Sequence, residues 1–317
     1  MIIAVTPDLI TAAHERIIHR IRATPLFDAD GIGLAAPVQM KVEFLQHAGS
    51  FKVRGAFNSL LSGNVPKAGV AAASGGNHGA AVAFAARELG HSATIFVPEI
   101  ASPAKIAAIR GFGADVRVGG ARYNDALEAC NAFIGETGAF SVHAYDTVPT
   151  LAGQGTLARE WETQAGRNLP DTVLVAVGGG GLVAGMAAWW QGRVKLVGVE
   201  PAGSCALHAA MAAGNPVDVN VNSVAADSLG ARRAGDLVYD IASRHVDHVA
   251  LVTDDAITAA QALLWTRLRI ASEPGGAAAL AALLSGAYRP ADGERVGVLM
   301  CGANVSLRQL ATTCNEV

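Results

Sequence analysis

The order of apolar and polar positions along the chain predicts an α/β protein. The first stretch of helical spacing is predicted as a helix over 7–22, with Thr6 as its N-cap. From residue 69, short β-branched or Ala-rich runs alternate with longer segments of helical spacing. Strands that alternate with helices are typical of a mostly parallel sheet. In this series the predicted strands are 69–74, 93–97, 114–118 and 139–143, and the predicted helices start at His78, near Ser102 and at Tyr123.

A second series of the same kind follows residue 149. It opens with a helix through Glu162, and its predicted strands are 172–177, 195–200, 248–253 and 295–300. Two such series imply two α/β units that meet at a cleft. Ligands in open α/β sheets bind beyond the carboxyl ends of the strands, so binding residues are expected in the loops that follow these strands.

One uncharged segment, 172–190, is long enough to cross a bilayer. Four consecutive glycines near its centre lie between a β-branched run and an Ala-rich run, and this order predicts a buried strand, a tight loop and a helix instead. The N-terminus has no basic stretch before Asp8, so no signal peptide is expected.

Composition narrows the classes of function. The 317 residues are 51% hydrophobic and 16% charged, with a formal net charge of −3, so neither nucleic acid nor a membrane is expected as a partner. The cysteines show no CxxC spacing, which favours a reducing cytoplasm and argues against a structural zinc site. They are Cys130, Cys205, Cys301 and Cys314.

The loop after the strand 69–74 is the first candidate site. Its polar side chains offer hydrogen bonds, its glycines let a ligand approach the backbone, and the helix that follows favours an anion such as a carboxylate at its N-terminus. A helix-capping turn without a ligand explains the same residues equally well. The candidate substrate-binding residues are Ser74, Gly75, Gly76, Asn77 and His78.

The four glycines are the second candidate site. Residues without a Cβ expose backbone N–H groups, and a helix N-terminus that follows them suits a phosphate monoester. The loop matches neither the dinucleotide fingerprint GxGxxG nor the P-loop GxxxxGK[ST], which suggests a phosphorylated ligand other than a nucleotide. The residues of this loop are Gly178, Gly179, Gly180, Gly181 and Leu182.

Two further residues carry candidate chemistry. Lys52 lies in an apolar run between Phe51 and Val53, where it is either a solvated side chain on a strand edge or an amine held away from water. Cys301 follows the last predicted strand and is either a small buried hydrophobe or a contact at the cleft. A buried amine has a lowered pKa and becomes a competent nucleophile and proton carrier.

These motifs in this order resemble the fold type II pyridoxal-phosphate enzymes, most closely the threonine/serine dehydratases, which are related to serine racemases. The resemblance covers nearly the whole chain and rests on GSFKVRGA, SGGNHG, AGQGT, the four glycines, VGVEP, ADSLGARR, EPGGAA and CGAN. It implies two open, twisted, mostly parallel sheets with helices on both faces. We expect a large pyridoxal-phosphate-binding domain over 1–68 and 147–317, a small domain over 69–146, and a homodimer.

The resemblance also implies roles for individual residues. Lys52 is expected to form the internal aldimine with pyridoxal 5'-phosphate, and Asn77 to bind the phenolic oxygen of the cofactor. The loop from Gly178 to Leu182 is expected to hold the phosphate, Phe51 to lie against the pyridine ring, and Cys301 to face the ring nitrogen. Arg54 is interpreted as a structural ion-pair partner, while Glu273 and Asp227 have structural explanations, a helix cap and a loop ion pair respectively.

The implied reaction is the elimination of the β-hydroxyl of a 3-hydroxy amino acid, such as L-threonine or L-serine, to a 2-oxo acid and ammonia. Other reactions remain open at this stage. They are the ammonia-lyase reaction on threo-3-hydroxyaspartate, β-replacement as in cysteine synthases, serine racemisation, and cofactor binding without catalysis.

Two departures from the family bear on these alternatives. Gly75 stands where serine racemases carry the serine that protonates the opposite face of the substrate, and Tyr145 stands where they carry an asparagine. Relatives that bind a divalent ion use a glutamate, here Glu200, and an aspartate six residues later, here Ala206. A divalent metal is therefore not expected, although a monovalent ion or a water-completed site remains open.

Overall fold

The protein contains two separate sheets in a computed structural model that describes residues 5–34 and 37–315. The larger sheet has six strands in the order β1-β2-β10-β7-β8-β9, and all neighbours are parallel except β1 and β2. Its strands are β1 Leu26–Ala29, β2 Val38–Lys41, β7 Thr172–Ala176, β8 Lys195–Pro201, β9 His248–Val252 and β10 Val296–Leu299.

The smaller sheet has four parallel strands in the order β5-β4-β3-β6. Together the two sheets confirm the α/β prediction with two mostly parallel sheets. The boundaries proposed for the large and small domains stay a prediction. The strands of the smaller sheet are β3 Val70–Ala73, β4 Ala93–Val97, β5 Asp115–Val118 and β6 Phe140–Ser141.

Most connections between strands are helical, as the apolar spacing predicts. Two helices, α7 and α12, are buried over almost their whole length, because they are built almost entirely of Ala, Gly, Leu and other apolar residues. The helices are α1 Pro7–Ile17, α2 Lys52–Ser62, α3 Asn77–Glu88, α4 Pro103–Gly111, α5 Tyr123–Thr137, α6 Val148–Ala165, α7 Gly181–Trp190, α8 Ala206–Ala213, α9 Ala226–Leu229, α10 Asp236–His245, α11 Asp254–Leu268, α12 Pro274–Leu284 and α13 Leu307–Asn315.

The first helix is shorter than predicted. Thr6 caps it as expected, by accepting a hydrogen bond from the backbone N–H of Leu9, but the helix ends at Ile17 rather than at residue 22. Beyond the helix, the side-chain amide of Gln46 binds both the N–H and the C=O of Arg22, at 2.9 and 2.8 Å, so Arg22 is held by Gln46 rather than by a helical turn. This long-range pairing has no local signal.

The predicted strand 139–143 is also shorter, with only Phe140–Ser141 in the sheet. The ring nitrogen Nδ1 of His143 accepts the backbone N–H groups of Tyr145 and Asp146, at 3.3 and 2.9 Å, and this turns the chain away from the sheet toward the cleft. Strands β1 and β2 were not predicted, because each has only four residues and includes polar positions.

The segment 172–190 folds as predicted, into β7, a glycine loop and α7. Within the described ranges 5–34 and 37–315, no helix is long and apolar enough to cross a membrane.

A buried cluster of four charged side chains joins α2 to α6 and to the region around β2. Arg54 donates from Nε to Glu43 at 2.6 Å and from Nη2 to Glu160 at 2.8 Å, and Lys41 donates to Glu160 at 2.5 Å. Two cations face two carboxylates, so the desolvated charges are balanced. The interpretation of Arg54 as a structural ion-pair partner is confirmed, and the cluster holds the helix that begins at Lys52.

Candidate active site

A cavity lies at the carboxyl ends of β7 and β10. Residues from distant parts of the chain meet in its wall, as expected for the strand ends of open α/β sheets. The structure brings together here all the predicted cofactor-binding residues: Phe51, Lys52, Asn77, Gly178, Gly179, Gly180, Gly181, Leu182 and Cys301.

Lys52 is the first residue of α2, not a strand residue. Its Nζ donates to the carbonyl oxygen of Ala144 at 2.8 Å and lies 5.2 Å from the centre of the Phe51 ring. Burial disfavours the charged amine and lowers the pKa of Lys52 to about 8. The neutral fraction of this amine near neutral pH is therefore larger than that of an ordinary lysine, whose pKa is about 10.4.

The segment before Lys52 is tied to the loop after β10. Ser50 forms an antiparallel bridge with Gly302, the N–H of Phe51 donates to the carbonyl of Cys301 at 3.2 Å, and the N–H of Ala303 donates to the carbonyl of Gly49 at 3.1 Å. These backbone hydrogen bonds hold Lys52 and Cys301 at fixed positions on the same wall of the cavity.

The glycine loop is a cradle that larger residues would fill. Gly180 has a φ of +86°, and a Cβ added to Gly179 would lie 2.4 Å from the ring of Tyr145. A Cβ on Gly181 would lie 2.7 Å from the carbonyl oxygen of Tyr145. The loop leads directly into the N-terminus of α7, where free N–H groups and the helix dipole favour an anion. The loop therefore fits a phosphate group.

The loop after β3 contributes one residue to this cavity. Asn77 begins α3, and its Nδ2 donates to Glu273 at 2.6 Å while its Oδ1 accepts from Asn304 at 2.7 Å. Gly76 and Asn77 also border a neighbouring cavity between α3, α4 and α13.

The other residues of this loop have structural contacts. Ser74 accepts the N–H of Gly76 at 3.2 Å, and the ring Nε2 of His78 lies 2.9 Å from the carbonyl oxygen of Val142. Burial, with a smaller contribution from nearby Lys52, lowers the pKa of His78 to about 3 and keeps its ring neutral. Of the residues described, Ser74, Gly75, Gly76 and His78 do not line the first cavity, and their predicted role in substrate binding stays a prediction.

Cys301 presents a neutral thiol to the cavity. Its Sγ lies 3.5 Å from the carbonyl oxygen of Gly275, to which the thiol donates a weak hydrogen bond. Burial raises the pKa of the thiol far above its ordinary value, so it stays protonated at physiological pH.

Five residues of the wall were absent from the predicted site: Tyr145, Ala176, Ser228, Leu229 and Glu273. A signal existed for Ser228, Leu229 and Glu273, because they lie in motifs that carry the family resemblance. Tyr145 lies outside these motifs, and Ala176 belongs to the strand before the glycine loop. Glu273 stands at the N-cap position of α12, but its carboxylate binds Asn77 rather than the end of its own helix. Asp227 forms the expected ion pair, with Lys105 of α4 at 2.9 Å.

The residues around Glu200 do not fit a divalent metal. Both carboxylate oxygens of Glu200 accept backbone N–H groups at the start of α8, from Leu207 and His208 at 2.9 Å each. Ala206, at the position of the second carboxylate in metal-binding relatives, supplies no ligand. Burial raises the pKa of Glu200 to about 8, against the effect of these two hydrogen bonds.

The fold and the cavity define an α/β enzyme with a desolvated lysine opposite a glycine loop that suits a phosphate. The family profile described as "Pyridoxal-phosphate dependent enzyme" matches residues 17–302, so the chain belongs to this family of pyridoxal-phosphate-dependent enzymes. The cofactor of the family is pyridoxal 5'-phosphate, and the glycine loop and Lys52 fit its phosphate and aldehyde.

Known proteins similar over most of their length include two lyases and a racemase. The chain is 38% identical to the phenylserine dehydratase of Ralstonia pickettii over 96% of this chain and 95% of that protein. It is 36% identical to the L-threonine ammonia-lyase of Geobacter sulfurreducens, over 96% of this chain and 76% of that one. The structure of maize serine racemase matches with a TM-score of 0.91 and 31% identity, covering 99% of this chain and 98% of that one.

Proposed function

We propose that this protein is a pyridoxal-phosphate-dependent ammonia-lyase that converts a 3-hydroxy amino acid to a 2-oxo acid and ammonia. The observation that carries the proposal is the desolvated amine of Lys52 in one cavity with the glycine loop and Asn77. The similarity to L-threonine ammonia-lyase and phenylserine dehydratase supports this reaction over others of the family. L-Threonine, L-serine and 3-phenylserine are the substrates to test first.

When bound, the cofactor draws electrons away from the substrate α-carbon, which makes the α-proton acidic. The residues of the chain provide binding and proton transfer. In this proposal the backbone N–H groups from Gly178 to Gly181 bind the phosphate, Phe51 packs against the ring, and the neutral thiol of Cys301 faces the ring nitrogen. Because its thiol stays protonated, Cys301 would offer that nitrogen a neutral contact rather than a carboxylate.

Lys52 is the proposed attachment point of the cofactor and the base of the reaction. Its Nζ accepts the substrate α-proton, a step that contributes roughly 10²- to 10⁴-fold in rate when a group acts as general base. The bond from the β-carbon to the hydroxyl oxygen breaks, and the hydroxyl leaves as water with one proton, which balances the α-proton that Lys52 accepts. Hydrolysis of the resulting enamine consumes one water and releases ammonia, so L-threonine gives 2-oxobutanoate plus ammonia.

Racemisation is the less favoured reaction, although a serine racemase is among the similar structures. Racemisation needs an acid on each face of the planar carbanion, and Gly75 has no side chain to supply the second. A Cβ added at Gly75 would lie 2.7 Å from the Cβ of Ala101 and 3.0 Å from Val97. A serine at this position therefore requires a shift of the loop.

One substrate panel tests the function. Purified protein is offered L-threonine, L-serine, 3-phenylserine and threo-3-hydroxyaspartate, with 2-oxo acid and ammonia measured together and chiral chromatography of the remaining amino acid. We expect 2-oxo acid and ammonia in equal amounts with little D-isomer. D-Serine forming as fast as pyruvate identifies a racemase, sulfide-dependent turnover of O-acetylserine identifies β-replacement, and cofactor binding without any turnover identifies a non-catalytic protein.

The attachment point is tested separately. Borohydride reduction followed by peptide mass spectrometry is expected to locate the pyridoxyl mass on Lys52, and a mass on Lys41 or Lys67 would contradict the assignment.

The proposal further includes a cytoplasmic homodimer that acts on free amino acids, with 69–146 as a small domain and 1–68 with 147–317 as a large one.

A further inference from the structure

We propose that Asn304 and Glu273 are positioning residues, which orient the side-chain amide of Asn77 so that it offers an N–H donor to the cavity. The inference rests on the proposed function, because the acceptor of that donor is an oxygen of the cofactor. Glu273 lies 196 residues after Asn77 in the sequence, and Asn304 lies 227 residues after it.

The orientation of Asn304 follows from its contact with the main chain. Its Nδ2 lies 2.8 Å from the carbonyl oxygen of Ala48 and 2.7 Å from Oδ1 of Asn77. A backbone carbonyl only accepts hydrogen bonds, so the Asn304 atom that faces it must be the nitrogen. The two N–H groups of this nitrogen are then used by Ala48 and Asn77. The atom of Asn77 that faces Asn304 must therefore be its oxygen.

The orientation of Asn77 follows in turn. With Oδ1 held by Asn304, its Nδ2 faces Oε1 of Glu273 at 2.6 Å and gives it one N–H. Within the described part of the chain, Asn77 Nδ2 donates to Glu273 and to no other acceptor. The second N–H of Asn77 is therefore left for a ligand. This assignment starts from a carbonyl group, so it does not depend on whether Glu273 is ionised.

The backbone around these side chains is built for close contact. Ala48 has a left-handed φ of 54°, which is uncommon for a residue with a Cβ, and its carbonyl is the acceptor that orients Asn304. A Cβ on Gly49 would lie 2.3 Å from Oδ1 of Asn304, and a Cβ on Gly302 would lie 1.9 Å from Oε1 of Glu273. The three side chains fit together only because both positions are glycine.

The orientation decides the sign of the interaction with a ligand. Asn77 lines the same cavity as Lys52 and the glycine loop, where an anionic oxygen of the cofactor is expected. An N–H donor attracts such an oxygen, and hydrogen bonds to charged groups are among the stronger ones. A reversed amide would present its own oxygen and repel the ligand.

The variant Asn304→Asp tests the proposal. An aspartate presents oxygen atoms to the carbonyl of Ala48 and to Oδ1 of Asn77, so the Asn77 amide has an acceptor on both sides and loses its single orientation. We expect the Kd of pyridoxal phosphate for the cofactor-free protein to rise by about 10- to 100-fold, the usual loss for one hydrogen bond to a charged group. The absorption maximum of the bound cofactor is expected to shift as well.

One variant serves as the control. Asn215→Asp makes the same chemical change at an exposed position after α8 and is expected to leave both the Kd and the absorption maximum unchanged.

Wild-type affinity and absorption in a folded Asn304→Asp protein would overturn the proposal. If circular dichroism shows that this variant does not fold, Asn304→Ala replaces it; this variant removes both donors without adding a charge, and the same result would overturn the proposal. The wild-type protein separates the two hypotheses. If the wild-type protein carries the cofactor on Lys52 and substitutions of Asn304 do not change the Kd, the positioning role alone is refuted. If the wild-type protein binds no cofactor, both the proposed function and the positioning role are refuted.

Discussion

At the residue scale, the chemistry depends on the removal of water from one amine. Lys52 is surrounded by Phe51, Ala144 and Cys301. Among the described residues no carboxylate contributes to the pKa of Lys52, so desolvation dominates and lowers this pKa to about 8. Cys301 responds to the same burial in the opposite direction, because a thiol is neutral when protonated and an amine is neutral when deprotonated. One apolar wall therefore supplies both a reactive amine and an inert thiol.

The lowered pKa predicts the pH dependence of cofactor attachment. Only the neutral amine attacks an aldehyde, so the rate at which cofactor-free protein takes up pyridoxal phosphate should rise with pH, reach half of its maximum near pH 8 and level off about one pH unit higher. Stopped-flow absorbance measures this rate, and Nα-acetyl-lysine provides the control because an ordinary amine is half neutral only at a pH of about 10.4. A protein rate that reaches half of its maximum at the same pH as the control would contradict the assignment.

At the element scale, the position of helix α2 depends on the buried charged cluster. Arg54 lies two residues after Lys52 and binds carboxylates on both sides, Glu43 before α2 and Glu160 on α6. Glu160 stays ionised because the facing Arg54 and Lys41 lower its pKa, although burial alone would raise it. Glu43 and Glu160 are far apart in the sequence, and only the fold brings them to the same arginine.

Removal of one cation should destabilise the protein strongly. Arg54→Met leaves two buried carboxylates opposite Lys41 alone, and the free energy of unfolding is expected to fall by about 3–5 kcal/mol, the usual cost of an uncompensated buried charge. Arg193→Met is the matched control, because its ion pair with Glu162 is partly exposed and is worth less than about 1 kcal/mol. Urea denaturation followed by circular dichroism measures both, and equal losses would show that the buried cluster is not essential.

At the scale of the whole molecule, the site lies between parts of the chain that belong to different sheets. Asn77 follows a strand of the four-stranded sheet, whereas the glycine loop and Cys301 follow strands of the six-stranded sheet. The ion pair between Lys105 and Asp227 also joins these two parts. The relative position of the two sheets therefore decides whether the cavity is complete.

The proposed homodimer is tested by mass. Leu9, Ile18 and Leu45 expose 39%, 44% and 47% of their surface, and Arg22, in the segment after α1, donates to the carbonyl of Leu45. Because burial of apolar surface stabilises association, light scattering is expected to give twice the chain mass of 32.3 kDa. Changing both Ile18 and Leu45 to Asp should give monomer, and Ile100→Asp, an exposed position elsewhere, should not. A monomeric wild-type protein would refute the dimer.

Local pattern was sufficient for most of the fold and for much of the site. β-Branched runs, Ala-rich spacing and consecutive glycines depend on backbone geometry over a few residues, so β3, β4, β7 and α7 lie close to where the sequence predicts them. The same local logic marked the glycine loop and the lysine. It was insufficient for the four-residue strands β1 and β2, which are stabilised by their partners in the sheet rather than by their own composition.

The sequence by itself determined the alternation of strands and helices, the anion-binding loop and the presence of an amine in an apolar run, because each follows from residues that are neighbours in the chain. Only the tertiary structure decided that Arg54 faces two carboxylates, that Glu200 binds the start of α8 through backbone N–H groups, and that Asn77 lies between Glu273 and Asn304. Hydrogen bonds and ion pairs of this kind join side chains up to 227 residues apart, and their geometry exists only once both sheets have packed.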